Sequence, residues 1–395
     1  MSPNQAPPPV PLSEVGDLMV VGEPLPFKVL DAQGRLLLAA GQRVANARQL
    51  EALLERGACV EYPEVEAVRR ARAAAAGGGT AAVVPATRRQ TLFDQWERLT
   101  WELDAALRLL ARESGAPVSF DALVAGQIAM VDREPDAALF IGMRQDDKRF
   151  ALYGLTHAIH TATLVLLGSR QLGWAAEAQR TMMAAALTMN ASIVELQGRM
   201  AEQSDPPTKK QIETIRAHPH RSAAMLRTAG VADAEWLTAV EDHHERAGEG
   251  GYPRGVPVSA DATRLLRAAD VFMAKISPRA LRAPMLPQLA ARQLYQEEGG
   301  SAIAGALIKA VGVHPPGDFV RLRNGEAAIV VQRAAAGRAA QVVALLDGRN
   351  KPVPGAPRRD TGQGDFGITG ALTERAGLPR VLPEQVYGLI EPVAA

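Results

Sequence analysis

Apolar residues recur at three- and four-residue spacing over the middle of the chain, between about residues 91 and 315. This spacing is that of one face of an α-helix, whereas a half-buried strand alternates apolar and polar residues. One helix start is explicit, because Thr208 and Gln211 form a capping-box pair directly after two prolines. The pattern predicts a helical domain over residues 91–315. Within it, further helices are predicted from 208 to near 230, from near 233, and from about 262 to 276.

The flanking segments have different patterns. In residues 17–65 two apolar runs flank Asp31-Ala32-Gln33-Gly34, which is typical of a hairpin, and a leucine-rich helical pattern follows. Residues 316–395 contain a second hairpin signal at Asn324-Gly325 and are otherwise rich in glycine and proline. We therefore expect a mainly α protein with a small N-terminal α+β unit and a small C-terminal β-rich unit. The proline-rich residues 1–16 predict a mobile N-terminus, and residues 66–90 predict a linker.

Composition narrows the class of protein. The chain has 395 residues, is 47% hydrophobic and carries a formal net charge of +1. This balance gives no global basic signal for binding nucleic acid. Cys59 is the one cysteine, which excludes an internal disulfide and fits a reducing compartment. The first residues lack the pattern of a signal peptide, and no long uncharged apolar run predicts a membrane span. These features predict a cytoplasmic protein.

Two adjacent histidines end a predicted helix in the stretch DHHERAGEGGYPRGVP. His243 and His244 continue the apolar stripe that contains Val240, so both are expected to face the interior. Buried imidazoles need polar partners or a ligand, because an unsatisfied group costs about 1–3 kcal/mol. Asp270 lies between Leu266 and Met273 on another apolar helix face. Together with His157 and His218, these residues offer the ligand types of a zinc, iron or manganese site.

Other polar and aromatic residues have plainer interpretations. His160 and His220 are interpreted as core or surface residues with local partners, and His314 as a loop residue. Trp96 and Trp101 are interpreted as core residues, although a surface for homodimer formation stays open as an alternative. The alternative for the five residues of the predicted metal site is that each has its own local partner.

The sequence resembles the HD-GYP family of bacterial cyclic-di-GMP phosphodiesterases, which are related to HD-domain phosphohydrolases. Four segments agree with family motifs in order and spacing. They are HAIHTA at 157–162, AHPHRS at 217–222, HHERAGEGGYPRG at 243–255 and RAADVFMAKISPR at 267–279. The resemblance implies an HD-domain helical bundle and a metal site at the histidines and Asp270. It also implies that Gly251, Tyr252, Pro253, Arg254 and Arg279 form a loop and arginine that contact a ligand or partner.

The chain departs from the family pattern where the signature His-Asp pair should stand, because Met189-Asn190 occupies that place. Ile193 replaces a lysine, Tyr153 stands where some members have a glutamate, Ser222 where a glycine is usual, and Gly248-Glu249 replaces aspartate-glycine. In such sites the aspartate bridges two cations that activate water and hold the phosphate. A neutral amide does not offset the charge of two cations, and a thioether is a soft ligand. We therefore expect at most one divalent metal (Fe, Mn or Zn), or none.

Three functions follow as hypotheses. The first is a degenerate HD-GYP signalling protein that binds cyclic-di-GMP, or a protein such as a diguanylate cyclase (GGDEF) domain through Tyr252 and Pro253. For the Gly-Tyr-Pro tripeptide a purely structural turn is an equal alternative. The second is an active metal-dependent phosphodiesterase that tolerates Asn190. The third is a sensor or scaffold whose outer units carry the function. Whether the chain is an enzyme stays open at this point.

Overall fold

The chain folds into a helical domain with a small sheet at each end, as seen in a computed structural model. The structure describes residues 8–44, 47–77, 90–112, 117–144, 149–248, 250–257, 260–335, 337–373, 377–379 and 381–393. Helices predominate, so the predicted mainly α class is confirmed.

The N-terminal unit is a four-stranded sheet with one packed helix. Its elements are β1 (Val10–Pro11), β2 (Val29–Leu30), β3 (Leu36–Leu38), α1 (Ala47–Glu55) and β4 (Cys59–Val60). The strand order is β1-β4-β2-β3, and β2 and β3 form the predicted antiparallel hairpin. Gly34 in its turn has a φ of 79°, a conformation that favours glycine.

Two sequence predictions about this end of the chain were wrong in part. The predicted mobile segment includes β1, which pairs with β4, and the side chains of Leu12 and Val15 are buried. Their apolar surface outweighs the prolines around them. The predicted linker includes much of α2 (Tyr62–Gly77), because its run of alanine and arginine consists of strong helix formers. Residues 1–7 and 78–89 lie outside the described residues.

Eleven helices build the described part of the central domain. They are α3 (Leu92–Ala111), α4 (Asp121–Arg133), α5 (Pro135–Arg144), α6 (Tyr153–Gln171), α7 (Ala176–Thr188), α8 (Val194–Glu202), α9 (Lys209–Thr228), α10 (Ala234–Asp242), α11 (Asp261–Ile276), α12 (Pro287–Glu297) and α13 (Ala302–Val311). The predicted capping box at Thr208 is present and begins α9. The helices predicted near 233 and 262 are α10 and α11.

Helix α6 is the central helix of this domain. It packs against α7, α8, α11 and α13, so nearly all of its side chains are buried. Gly154 and Gly168 allow the close approach, since a Cβ at Gly154 would lie 2.8 Å from the carbonyl oxygen of Val194. Within the described residues, 150–171 is the one stretch long and apolar enough to cross a membrane, and 89% of its window is buried. Such burial is typical of a core helix.

The C-terminal unit is a five-stranded antiparallel sheet followed by a short helix. Its elements are β5 (Phe319–Leu322), β6 (Ala327–Gln332), β7 (Gln341–Leu346), β8 (Arg358–Asp360), β9 (Ile368–Ala371) and α14 (Pro383–Tyr387), with strand order β8-β7-β6-β5-β9. The predicted hairpin at Asn324-Gly325 is β5–β6. Tyr387 ties α14 to its own sheet and to the helical domain. Its hydroxyl donates to the carbonyl oxygen of Val331 in β6 at 2.6 Å, and its ring packs edge-on against Phe140 of α5.

Candidate functional site

The five predicted ligand residues come together from four helices. His157 lies in the first turns of α6, His218 in the middle of α9, and Asp270 in the middle of α11. His243 and His244 directly follow the last residue of α10. His157, His218, His243 and Asp270 are buried, whereas the side chain of His244 keeps 19% of its surface exposed. The site is therefore an interior cluster that opens on the side of His244.

Asp270 connects two parts of the cluster. Its Oδ1 atom accepts a hydrogen bond from the His157 Nε2 atom at 2.7 Å, and its Oδ2 atom lies 4.0 Å from the His244 Nδ1 atom. Burial alone would raise the pKa of Asp270, but the His157 hydrogen bond and the other histidines hold it well below the usual value. Asp270 is therefore an anion at neutral pH, placed where it can balance a positive charge.

His218 and His243 face each other in a way that fits a shared cation. Their Nε2 atoms are 3.1 Å apart. The Nδ1–H of His218 donates to the carbonyl oxygen of Ile215 at 2.5 Å, and that of His243 donates to Val240 at 2.7 Å. Burial lowers the pKa of His218 to about 3 and also lowers that of His243, so both rings are neutral at pH 7.

A neutral imidazole that donates from Nδ1 has an unprotonated Nε2. Two lone pairs therefore point at each other inside the protein with no proton between them. A cation between them would turn this repulsion into attraction, and metal-bound histidines commonly donate their other N–H to a backbone carbonyl. His244 completes the group, since the candidate ligand atoms of His218, His243 and His244 all lie within 4.8 Å of one another. These residues fit a metal ion.

The Gly-Tyr-Pro loop is anchored by a buried carboxylate that the sequence analysis missed. The Glu245 Oε1 atom accepts hydrogen bonds from the backbone N–H groups of Arg254 at 2.6 Å and Gly255 at 3.1 Å. At Gly251 a Cβ atom would lie 2.6 Å from the Glu245 Oε2 atom. The position therefore requires glycine for close approach. Glu249, one of the residues that departs from the family pattern, lies outside the described residues.

Tyr252 and Arg254 have defined contacts at this loop. The ring of Tyr252 stacks on His244 with centroids 4.4 Å apart, and Pro253 follows it through a cis peptide bond. The Arg254 guanidinium donates to Asp242 at 2.6 Å, next to the paired histidines. The loop thus covers the exposed side of the cluster.

Arg279 and Tyr153 form a pair beside His157. The Arg279 guanidinium donates to the Tyr153 hydroxyl at 2.5 Å and lies 4.8 Å from the centre of its ring. The Tyr153 ring stacks on His157 with centroids 5.5 Å apart. The residue in the place of the family's glutamate therefore packs against a candidate ligand.

Met189 and Asn190 lie in the turn after α7, between the two helices that carry the other histidines. Thr188 accepts a hydrogen bond from the Trp236 indole of α10 at 2.8 Å. Ser192 bonds to the His218 carbonyl oxygen at 3.2 Å. Met189 is fully buried, and Asn190 is 4% exposed. A soft thioether and a neutral amide thus occupy the place where the family has its His-Asp pair.

Ile193 and Ser222 are two further departures from the family pattern, and the structure shows what each side chain contacts. Ile193 is buried and lines a surface groove beside α3 with Leu107 and Leu110. It supplies apolar packing in place of the charge of a lysine. The Ser222 hydroxyl lies 3.0 Å from that of Ser192, so the side chain that replaces a glycine ties α9 to the Asn190 turn. No sequence pattern pointed to this link.

The remaining histidines differ from one another. His220 is exposed and bonds to Glu241 at 2.7 Å, and His314 lies in a loop near Gln288 and Asp318, both as predicted. His160 is buried as predicted, but its Nδ1 atom has no hydrogen-bond partner among the described residues, so the expected local partner was wrong. Trp96 and Trp101 are both buried, which confirms their interpretation as core residues.

Comparisons with known proteins identify an HD domain in the middle of the chain. The family model described as HD domain matches residues 142–303. The chain is 25% identical over 325 residues to "Cyclic di-GMP phosphodiesterase PA4108" of Pseudomonas aeruginosa, an alignment that covers 77% of this chain and 74% of the relative. It is also similar to the solved structure of Bd1817, an HDG"Y"P protein from Bdellovibrio bacteriovorus. That similarity has a TM-score of 0.42 and 12% identity and covers 74% of this chain and 96% of the other.

The matched domain contains all five residues of the histidine cluster and the loop that covers it. It also contains the Met189-Asn190 turn, so the departures lie inside the region of similarity. Residues 142–303 therefore form an HD domain, and the relative supports the resemblance to the HD-GYP family that the ordered motifs indicate.

Proposed function

We propose that this chain is a cyclic-di-GMP signalling protein whose phosphodiesterase activity is lost or impaired and which acts by binding a cyclic dinucleotide or a partner protein. The similarity to a cyclic di-GMP phosphodiesterase supports the ligand class. The main support for a loss of activity is the buried Met189-Asn190 turn, which lies beside an otherwise assembled histidine cluster. Without a bridging acid, the site lacks the anion that holds a pair of cations.

In this proposal His218, His243 and His244 hold one divalent cation, with Asp270 supplying the balancing charge. Such a cation would attract and polarise a phosphoryl oxygen of the nucleotide. His157 orients Asp270 through their hydrogen bond. Tyr252 offers a flat ring at the exposed side of the cluster, where a nucleotide base or a partner side chain can stack.

Binding of a GGDEF-domain or other signalling protein through Tyr252 and Pro253, formation of a homodimer, and a cytoplasmic location remain predictions. The exposed side chain of Arg254, already oriented by Asp242, would add a positive charge to such a surface. Metal analysis of the purified protein measures whether Fe, Mn or Zn is bound.

An active metal-dependent phosphodiesterase is the second candidate. Its support is that all five ligand residues of the resemblance are retained and lie in one cluster. Its weakness is the apolar environment of Met189 and Ile193 where the family has charged or imidazole groups. The two candidates differ in turnover, which a direct assay measures.

The test measures cyclic-di-GMP binding by calorimetry and hydrolysis by chromatography, with Mn²⁺, Fe²⁺ or Zn²⁺ added. We expect saturable binding, at most one metal per chain, and hydrolysis by Met189→His/Asn190→Asp at least about tenfold faster than by wild type. The variant Met189→Leu/Asn190→Ala is the matched control, because it alters the same turn without adding ligands. Two metals per wild-type chain with rapid turnover would establish the alternative, and an absence of cyclic-di-GMP binding would refute the nucleotide-binding form of the proposal.

A further inference from the structure

A second cavity lies where the N-terminal unit, the helical domain and the C-terminal segment meet. Its volume is about 430 Å³, which is within the range of small-molecule sites. The walls come from residues 22 and 41–43, from helices α3, α5 and α6, and from residues 381–384. None of the five cluster residues and none of residues 251–254 is among the described residues that line it. The cavity therefore contains none of the candidate ligands, and it adjoins the metal site only through Tyr153, which lines it and stacks on His157.

His160 in the wall of this cavity is a buried polar group without a partner. It is 8% exposed, and its Nδ1 atom has no hydrogen-bond partner among the described residues. The indole Nε1–H of Trp96, on the facing helix α3, is also buried and unpaired within this part of the chain. Buried polar groups are normally satisfied by protein or by a bound molecule. Two such groups among the residues of one cavity wall favour a bound molecule as the missing partner.

The cavity wall is rich in aromatic side chains. The chain has 8 phenylalanines, 5 tyrosines and 4 tryptophans, and five of these rings line this one cavity. They belong to Phe93, Trp96, Phe140, Phe150 and Tyr153. Aromatic walls favour a flat apolar molecule, because rings pack by stacking or edge-to-face contact.

Charges in the wall balance each other. Three arginines and three acidic residues line the cavity, and Arg149 forms a two-pronged ion pair with Glu97 at 2.7 and 3.0 Å. Asp94 caps helix α3, and Arg43 donates to the carbonyl oxygen of Gly22. A ligand with a net charge would find no excess of opposite charge here, and burying it would be costly.

We propose that this cavity binds a small, uncharged, planar aromatic molecule with one hydroxyl-like group that hydrogen bonds to His160. Burial lowers the pKa of His160 to about 3, so the ring is neutral and offers both a donor and an acceptor. The site does not depend on metal or on cyclic-di-GMP. It can therefore exist whether or not the proposed signalling function holds.

The test titrates 2-naphthol into the full-length protein by isothermal calorimetry at neutral pH. We expect saturable binding of one molecule per chain. His160→Phe removes both ring nitrogens and should weaken binding at least about fivefold, in keeping with the loss of a hydrogen bond. Thr156→Trp places a bulky ring in the cavity wall and should abolish binding by filling the space. The change breaks no hydrogen bond to another segment, because the Thr156 hydroxyl bonds to the backbone of its own helix. His220→Phe is the matched control at an exposed histidine and should bind like wild type.

A charged analogue tests the class of ligand. 2-Naphthoate has the same rings with a carboxylate, and we expect it to bind at least about tenfold more weakly than 2-naphthol. Failure of the wild-type protein to bind 2-naphthol saturably would overturn the proposal. Unchanged binding by His160→Phe and Thr156→Trp, or tighter binding of the naphthoate, would do so as well.

Discussion

At the scale of single residues, the loop over the metal site depends on one close contact. Glu245 is 1% exposed and holds the backbone of Arg254 and Gly255 with one carboxylate oxygen. Gly251 packs directly on this glutamate, with no room for a Cβ atom. The position of Tyr252, one residue further, follows from this contact.

Gly251→Ala should therefore destabilise the protein. A Cβ atom would lie 2.7 Å from the Glu245 Cα atom, so backbone must shift, which costs about 1–3 kcal/mol. Urea unfolding measures the loss. Gly248→Ala is the matched control, since a Cβ atom there meets nothing within 4 Å. Equal stability of both variants would show that the loop adjusts without strain.

His160 should make stability depend on pH. Its pKa of about 3 in the folded state lies below the ordinary value of 6.5, because burial disfavours the charged ring. The unfolded chain therefore takes up a proton first as pH falls below about 6.5, and the folded state loses stability down to about pH 3. Between pH 7 and pH 5 this contribution is about 2 kcal/mol.

Replacement of His160 by Phe should remove that contribution. The drop in unfolding free energy between pH 7 and pH 5, measured by urea unfolding, should be smaller than in wild type by about 2 kcal/mol. His220→Phe controls for the loss of a histidine as such. If the unfolding free energy of His160→Phe falls between pH 7 and pH 5 by as much as that of wild type, His160 is not buried in the neutral form.

The candidate residues were predictable because the motifs name them by order and spacing. Their buried partners were not, because Glu245, Ser192 and Ser222 act through contacts that bridge separate segments. The unpaired state of His160 also depends on what α3 and α5 place around it. A helical pattern reports which face is buried, but it does not report which neighbour lies there.

At the scale of elements, helices with local signals were predicted well. Helix α9 begins at its capping box, and α10 begins at Asp233, whose side chain accepts from the Trp236 N–H. Helix α2 and strand β1 were missed, since glycines and prolines nearby suggested irregular chain. Their structure depends on long-range pairing and burial, which short sequence windows do not contain.

Helices α1 and α3 are joined by an ion pair that should be costly to break. The Arg56 guanidinium bonds to both carboxylate oxygens of Asp104, and both side chains are 3% exposed. Arg56→Met would leave Asp104 with only Arg108 as a charged partner. We expect a loss of about 3 kcal/mol of unfolding free energy, measured by chemical denaturation.

The exposed pair Arg112–Glu55 connects the same two helices and supplies the control. Arg112→Met should cost less than about 1 kcal/mol, because solvent screens exposed charges. Similar losses for Arg56→Met and Arg112→Met would mean that burial of the first pair adds nothing.

At the scale of the whole molecule, the chain returns to its helical domain at the C-terminal end. The Gln95 side chain exchanges two hydrogen bonds with the backbone of Val393, at 2.8 and 2.9 Å. Tyr387 packs its ring between Phe93 and Phe140. The sequence predicted a small β-rich unit over residues 316–395, and the structure places its last helix against α3 and α5.

Tyr387→Ala should destabilise the entire chain. The change removes a ring from a three-ring cluster and the hydrogen bond that its hydroxyl donates to the Val331 carbonyl oxygen, at a cost of about 3–5 kcal/mol. Calorimetry should give one transition at a lower temperature. Leu389→Ala, in the same segment but 62% exposed, should melt like wild type. A separate early transition in Tyr387→Ala would show that the C-terminal unit unfolds independently.

The Glu245 anchor allows part of the loop to vary in sequence. One carboxylate holds the backbone of Arg254 and Gly255, and Gly251 packs on it, so the tip of the loop around Gly248, where a Cβ atom would meet nothing within 4 Å, contributes little to the placement of Tyr252. Replacements at that tip can accumulate without disturbing the ring over the histidines. The same tip is a natural point at which to graft a foreign peptide and display it beside the cluster.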